Sequence, residues 1–397
     1  MNGPLHGIRV VDISSSYAAP TASMFLGDLG AEVIKVEPLR GDDSRGWGPP
    51  FINGEGAWYL SVNRNKQSLC LDITSDRGRE VLFQLLETAD VFIENIVPTK
   101  LDKLGLNLEG LRERFPKLVI CAVSGFGLTG PDAALPGYDL IAQARSGMMS
   151  VTGDDGVPQR VSTALSDVAA GTVAALTICA ALVRQQQSGE GEVIDVSLVD
   201  ADLSFMAPRI ASYLAGDPEP KPCGGTDSVV AIYQRFQTKD RPIVIALGND
   251  RHWQRACPAL GLSHLSDQAD LATNAGRRAR RAEIVAEFQR VFSEMTAASA
   301  LEVLRSVGVP CSLISSLSEV VNDPHILARD SLITQIHPVA GEVRTVNRPW
   351  RFSSQDPEEQ PTPAPMLGEH GRKILAGVGI DDAAVDDLVK AGVVWVN

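Results

Sequence analysis

What most constrains the fold of this chain is the order of strand-like and helix-like runs between Ile8 and Ser124. "IRVVDIS" (Ile8–Ser14) reads as a buried strand, "TASMFLGDLG" (Thr21–Gly30) as a helix closed by glycine, and "AEVIKVE" (Ala31–Glu37) as a second strand. The unit recurs as strand "SLCLDI", helix "RGREVLFQLLETA" and strand "DVFIEN", then a helix around "LEGLRERFP" and the strand "KLVICAVS". Strands alternating with helices at this spacing predict an α/β fold, a parallel sheet covered on both faces. Ligands of such sheets bind beyond the carboxyl ends of the strands. That directs attention to Ser14–Tyr17, Glu37–Arg40, Glu94–Pro98 and Ser124–Gly130.

Beyond Gly130 the alternation breaks. A long helix is expected over Asp167–Gln187, ended by "SGEGE", then a strand "VIDVSL" and a helix through "DADLSFMAPRIASYL". "AGDPEPKPCGGTD" (Ala215–Asp227) is dense in Pro and Gly and reads as a linker. The domains expected are 1–214, a linker 215–228, a smaller domain 229–318, and a return segment 319–397 ending in a closing helix. The 397 residues carry 36 basic and 49 acidic side chains, a net charge of −13, which argues against nucleic acid and anionic membrane surfaces as partners. A small anionic ligand in a local basic pocket is compatible with it. The cysteines are scattered without metal-like spacing, and "MNGPLHGIRVVDIS" lacks the flanks of a signal peptide, so a reducing cytoplasm is expected. The apolar run Val168–Val183, at 16 residues, is short for a bilayer span and reads as a buried helix.

Three motifs bear on chemistry. Gly125, Gly127 and Gly130 in "VSGFGLTGPD" spell G-x-G-x-x-G after a strand, but Pro131 and Pro136 put a loop where a dinucleotide site needs a helix, so neither NAD nor FAD is expected. Asp167, in "TALSDVAAGTVAALTICAALV", abruptly precedes 16 uncharged residues and falls in the first turn of the long helix. The helix dipole there favours an ionised carboxylate, which can serve as a nucleophile. Ser166 and Asp167 also suit plain helix capping. The histidines, His6, His252, His264, His325, His337 and His370, show no paired spacing, and no G-x-S-x-G elbow or P-loop occurs.

These pieces together resemble the family III CoA-transferases, the formyl-CoA transferase-like group that also contains α-methylacyl-CoA racemases. The resemblance runs through "PLHGIRVVDIS", "LGDLGAEVIKVEP", "NRNKQSLCLDI", "ADVFIENIVPTKLDKLGL", "VSGFGLTGP", "SDVAAG", "GEGEVIDVSLVDA" and "PMLGEHG", nearly the whole chain. It implies a Rossmann-like large domain built from both chain ends, a smaller α+β inserted domain, and an interlocked homodimer. It implies that Asp167 attacks an acyl-CoA thioester, passes through an acyl-aspartyl anhydride and an aspartyl-CoA thioester, and hands CoA to a second carboxylic acid without metal or redox cofactor. By the same resemblance Arg40, Arg45, Lys66, Asn95 and Lys103 hold coenzyme A, Tyr138 and Asp139 border its pantetheine arm, and Ser16 and Tyr17 lie on the substrate side. Succinyl-CoA as donor and a small dicarboxylate as acceptor are expected.

The chain departs from the pattern in two places. Family members often carry Gln where Tyr17 stands, which argues against a formyl/oxalate pair. The racemases place a His where this chain has Tyr138 in "PGYD", and a phenol is a poor base near neutral pH. No histidine lies between His6 and His252, so transferase chemistry is expected over racemisation. A non-catalytic acyl-CoA-binding protein is the remaining alternative, and the intact Asp167 argues against it.

Overall fold

A computed structural model describes residues 3–154, 156–354 and 360–397. Its main sheet holds seven strands: β1 (Arg9–Asp12), β2 (Glu32–Glu37), β3 (Lys66–Leu71), β4 (Val91–Glu94), β5 (Val119–Ser124), β6 (Val193–Ser197) and β7 (Val394–Trp395). Their order is β6-β5-β4-β1-β2-β3-β7, parallel throughout except β7, which pairs antiparallel with β3. The first six therefore follow the 3-2-1-4-5-6 winding of dinucleotide-binding folds, with the reversal of direction between β1 and β4. Loops after β1 and β4 leave the sheet on opposite sides there and open a crevice at their carboxyl ends.

The apolar β-branched runs are buried on both faces, as a parallel sheet requires. Successive side chains point to opposite faces. Val10, Ile93 and Cys121 join one core with α1 (Ala18–Asp28) and α5 (Leu165–Ser188). Their neighbours Val11, Phe92 and Ile120 join the other, with α2 (Asp76–Leu86) and the C-terminal helices Gly371–Gly377 and Asp382–Lys390. Small residues bring α1 and α5 close, Ala18, Ala19 and Ala22 against Ala170, Ala174 and Ala175. Gly171 permits the contact: a Cβ there would lie 2.5 Å from the Ala18 carbonyl oxygen and 2.7 Å from Thr21 Cβ. The 24-residue α5 is long and apolar enough to cross a membrane by composition, and half of its apolar window is buried inside the chain. Between these elements run α3 (Pro98–Lys103) and α4 (Asp139–Arg145), and after β6 comes α6 (Leu198–Leu214).

Contacts divide the chain into two units, 3–146, 161–206 and 325–397 in one, 147–160 and 207–324 in the other. Both chain ends thus share the first unit. The second has a three-stranded antiparallel sheet, Tyr233–Phe236, Ile243–Ala246 and Cys311–Leu313, over a core of Trp253, Phe288, Phe292 and Leu304. It takes in more chain than 229–318. The stretch read as a linker is tied to the 147–160 excursion: Gly156 N–H donates to Pro222 O at 3.2 Å and Gly224 N–H to Gly153 O at 2.8 Å.

Candidate active site

The loop after β1 is where the sheet's crevice is built most tightly. Ser16 sits in the left-handed region, φ 71°, a strained conformation for a residue with a side chain. Its neighbours are pinned from several elements. Asn95, just past β4, clamps Ser15 with both ends of its amide: the Ser15 N–H donates to Oδ1 at 3.1 Å and Nδ2 donates to Ser15 O at 2.8 Å. Lys35 Nζ donates to Ser14 O at 2.9 Å and to Asp42 Oδ2 at 2.8 Å, and Asp42 Oδ1 accepts the Ser16 N–H at 3.2 Å. Burial opposes ionisation of Asp42, yet Lys35 and the Ser44 donors hold its pKa down at about 2. Asp12 accepts from Ser14 and Ser23.

Asp167 enters from the other wall. It occupies the first turn of α5, with Leu198 at the start of α6 and Tyr138 at the start of α4 on the same cavity. Two further carboxyls stand behind that turn. Asp139 accepts the Ser166 N–H at 2.8 Å and Gln143 Nε2 at 2.8 Å. Asp202 Oδ2 accepts the Ser166 hydroxyl at 2.7 Å. The helix dipole was expected to keep Asp167 ionised. Instead burial pushes its pKa up to about 7, and the charges of Asp139 and Asp202 add to the shift. Desolvation and like charge outweigh the dipole here because they act on a half-buried carboxyl.

Asp167, Tyr138, Ser15, Ser16, Asn95 and Ser124 line one cavity of about 180 Å³. A second, of about 390 Å³, lies beyond the carboxyl ends of β2 and β3, walled by Ile13, Val36, Leu39, Leu71, Ile73 and Ile96. Ser15, Asn95 and Val97 line both. A polar-headed, apolar-bodied ligand can therefore lie along the crevice with its far end at Asp167.

Of the residues expected at a coenzyme site, the structure brings Arg40 and Asn95 to the second cavity and Asn95, Ser16 and Tyr138 to the first. Arg40 is largely exposed and reaches Asp43 at 3.5 Å. The Asn95 side chain, however, is engaged with Ser15. Arg45 and Lys66 line neither cavity. Arg45 makes a two-pronged pair with Glu37, 2.8 and 2.7 Å, and stacks over the Tyr59 ring. Lys66 is fully buried, donating to Pro20 O and Asn63 Oδ1 at 2.8 Å, and burial pushes its pKa down to about 7. Both cations are spent inside the fold. Lys103 lies outside both linings, and Lys100, one turn earlier on α3, takes its place. Asp139 is buried against Ser166 rather than bordering the cavity. Tyr17 hydrogen-bonds Ser61 through its phenol and packs edge-on against Trp58. Tyr138, the position of the racemase histidine, is 63% exposed.

Sequence reasoning missed Lys100 and Asp202. For Lys100 the signal was present, a second base on the same short helix. Asp202 gives none, since an acid on an amphipathic helix ordinarily faces water. The G-x-G-x-x-G glycines have backbone reasons: Gly127 and Gly130 take positive φ, 89° and 94°, and Gly125 a close approach. Gly125 and Gly137 touch, a Cβ on Gly125 falling 2.6 Å from Gly137 Cα, and this crossing brings Tyr138 beside the end of β5.

The sequence was compared with known proteins. A family described as CoA-transferase family III matches residues 5–371. Succinyl-CoA:glutarate CoA-transferase of Mus musculus is 38% identical over 98% of this chain and 90% of its own length. Succinate–glutarate CoA-transferase of Agrobacterium fabrum is 37% identical over 94% and 95%. Acetyl-CoA:oxalate CoA-transferase of Acetobacter aceti is 35% identical over 93% and 94%. Among solved structures, a CAIB/BAIF family protein from Brucella suis superposes with a TM-score of 0.83 at 36% identity, covering 95% of this chain and all of that one.

Proposed function

The chain belongs to CoA-transferase family III and is a CoA-transferase acting on acyl-CoA and carboxylate substrates, and on that premise we propose that it moves CoA from succinyl-CoA to a small dicarboxylic acid of the glutarate class through covalent states of Asp167. The observation that carries this reading is the half-buried Asp167 at the end of a crevice whose other end is apolar and rimmed by Arg40 and Lys100.

The steps balance without water or an external cofactor. An Asp167 carboxylate oxygen attacks the thioester carbonyl, the C–S bond breaks, and CoA leaves as thiolate from a mixed anhydride. The thiolate attacks the aspartyl carbonyl and expels the donor acid as its carboxylate. The acceptor carboxylate then attacks the aspartyl-CoA thioester, and the thiolate released attacks the acceptor's acyl carbon, restoring the Asp167 carboxylate. Covalent catalysis of this kind divides one exchange between two stable acids into steps of comparable energy. A nucleophile titrating near neutrality is basic enough to attack and still available as anion at pH 7.

In this reading Arg40 and Lys100 meet the phosphates of CoA, and the apolar wall of the second cavity takes its adenine. Asn95 acts by holding the Ser15 backbone at the junction of the two cavities. We further infer a homodimer, supported by apolar side chains left exposed on α5 and α6, among them Leu176 at 68% and Leu214 at 77%.

Intact-protein mass spectrometry after incubation with succinyl-CoA tests the mechanism. A CoA-sized adduct is expected on the native chain and none on Asp167→Ala. No adduct, together with deuterium exchange at the α-carbon of a branched acyl-CoA, would replace transfer by racemisation.

A further inference from the structure

Asp202 belongs to the acidic cluster behind Asp167 and lines neither cavity. It is 0% exposed on α6, with Ser166 Oγ at 2.7 Å and Ser146 Oγ at 3.5 Å, both on Oδ2. Its other oxygen, Oδ1, is buried without a hydrogen-bond partner among the described residues. A carboxyl kept in such a place costs stability, because half of its hydrogen-bonding capacity goes unmet. An alanine or leucine would fill the space more cheaply, so the arrangement calls for a reason beyond packing.

We propose that Asp202 is a positioning residue for Asp167: through the Ser166 hydroxyl it fixes the first turn of α5, and it holds a second carboxyl behind the reacting one. Asp167 is thereby made less stable as a free anion and more stable in its uncharged acyl and thioester forms. The inference rests on Asp167 being the nucleophile. Like charges close together cannot both ionise freely. When Asp167 becomes an anhydride or thioester its charge disappears, and the repulsion with it. The cluster thus favours covalent occupancy without touching substrate.

Asp139 adds its own charge behind Asp167 while accepting the Ser166 N–H, and the other charged groups on the neighbouring elements are engaged elsewhere. On α4, Asp139 faces Ser166, and Arg145 is paired with Asp132. On α1 the sole charged side chain is Asp28, paired with Arg64. On β6, Asp195 accepts the Leu128 N–H, and on α6 Asp200 is bonded to Ser197. The strand β5 brings only the neutral thiol of Cys121, held in that form by burial. Burial also raises the Asp202 pKa, with Asp139 adding to the shift against the Ser166 hydrogen bond.

The test compares Asp202→Asn and Ser166→Ala with the parent, reading kcat/KM for succinyl-CoA against pH. Asn keeps the acceptor for Ser166 and removes the charge. Ala removes the donor that stabilises the Asp202 anion, so it weakens the same repulsion without altering the acid itself. Both variants are expected to lower the acid-side midpoint by about one pH unit, a tenfold change in the Asp167 ionisation equilibrium. A parent-like midpoint in both, whatever happens to melting temperature, would reduce Asp202 to a structural residue. Asp167→Asn run alongside separates the two readings. If it keeps turnover and adduct, the nucleophile assignment fails and takes this proposal with it. If it abolishes both while the midpoints of the other variants stay put, only the role of Asp202 is lost.

Discussion

At the scale of single residues the site is a set of carboxyls with different fates. Asp42 and Asp12 are neutralised by buried lysines and donors and serve the backbone of the Ser14–Ser16 loop, whereas Asp167 has no cation beside it among the residues lining its cavity. This difference has a thermodynamic signature. The folded chain holds the Asp167 proton up to about pH 7, the unfolded chain only to about pH 4. Between those values the folded state binds more protons, so the stability contributed by the protonated side chain is complete in acid and is lost as pH rises through 7. Asp167→Asn, uncharged throughout, should therefore match the parent in melting temperature near pH 4 and exceed it increasingly up to pH 8, by on the order of 3 °C. A difference flat across that range would mean that Asp167 titrates as an exposed aspartate. The place of Asp167 in the first turn of a long apolar helix was legible from a lone charge before a long uncharged run, while the nucleophile role proposed for it came from the family resemblance, since the local sequence suits helix capping equally. The internal pairing of Arg45 and Lys66 was not legible because a base and its buried partner look, residue by residue, like a base in water. Glu37 lies eight residues from Arg45, and Asp12 is more than fifty from Lys66.

At the scale of elements the site depends on how close α1 approaches α5. Ser16 leads directly into α1 and Asp167 lies in the first turn of α5, so the distance between the helices sets the distance between the two walls of the smaller cavity. Gly171 is the spacer. Gly171→Val would push its side chain into the Ala18 carbonyl and Thr21, and overpacking of this kind costs roughly 1–3 kcal/mol. A lower urea midpoint and a loss of turnover are expected together. Parent-like values of both would show that the helices can part without consequence. The strands were legible because buried parallel strands read as apolar, β-branched runs. The clamp of Asn95 on Ser15, between residues eighty positions apart, was not. A side chain gripping a distant backbone leaves no periodic pattern in the sequence.

At the scale of the whole molecule, an acidic chain binding a polyanionic coenzyme must confine its attraction to a small area. In the proposed reading Arg40 and Lys100 at one crevice supply it, against a net charge of −13. The proposed dimer belongs to this scale too. If each copy threads the other, two differently tagged preparations mixed under native conditions should yield no mixed dimers over days, and should yield them after unfolding and refolding together. Ready exchange without denaturant would contradict threading. The parallel main sheet was foreseen from the alternation of elements, while its strand order and the assignment of 147–160 to the second unit were not, since nothing in that segment's composition announces which part of the chain it joins. One last feature bears on how such a molecule diversifies. The segment from Phe126 to Pro136 leaves and returns at the same point, where Gly125 meets Gly137, and its Ala133, Leu135 and Pro136 form part of the cavity wall. A stretch whose ends are stitched together is a cassette: its length and lining can be rewritten while Tyr138 and all that follows stay in register, so descendants of this chain can acquire new tastes without relearning how to fold.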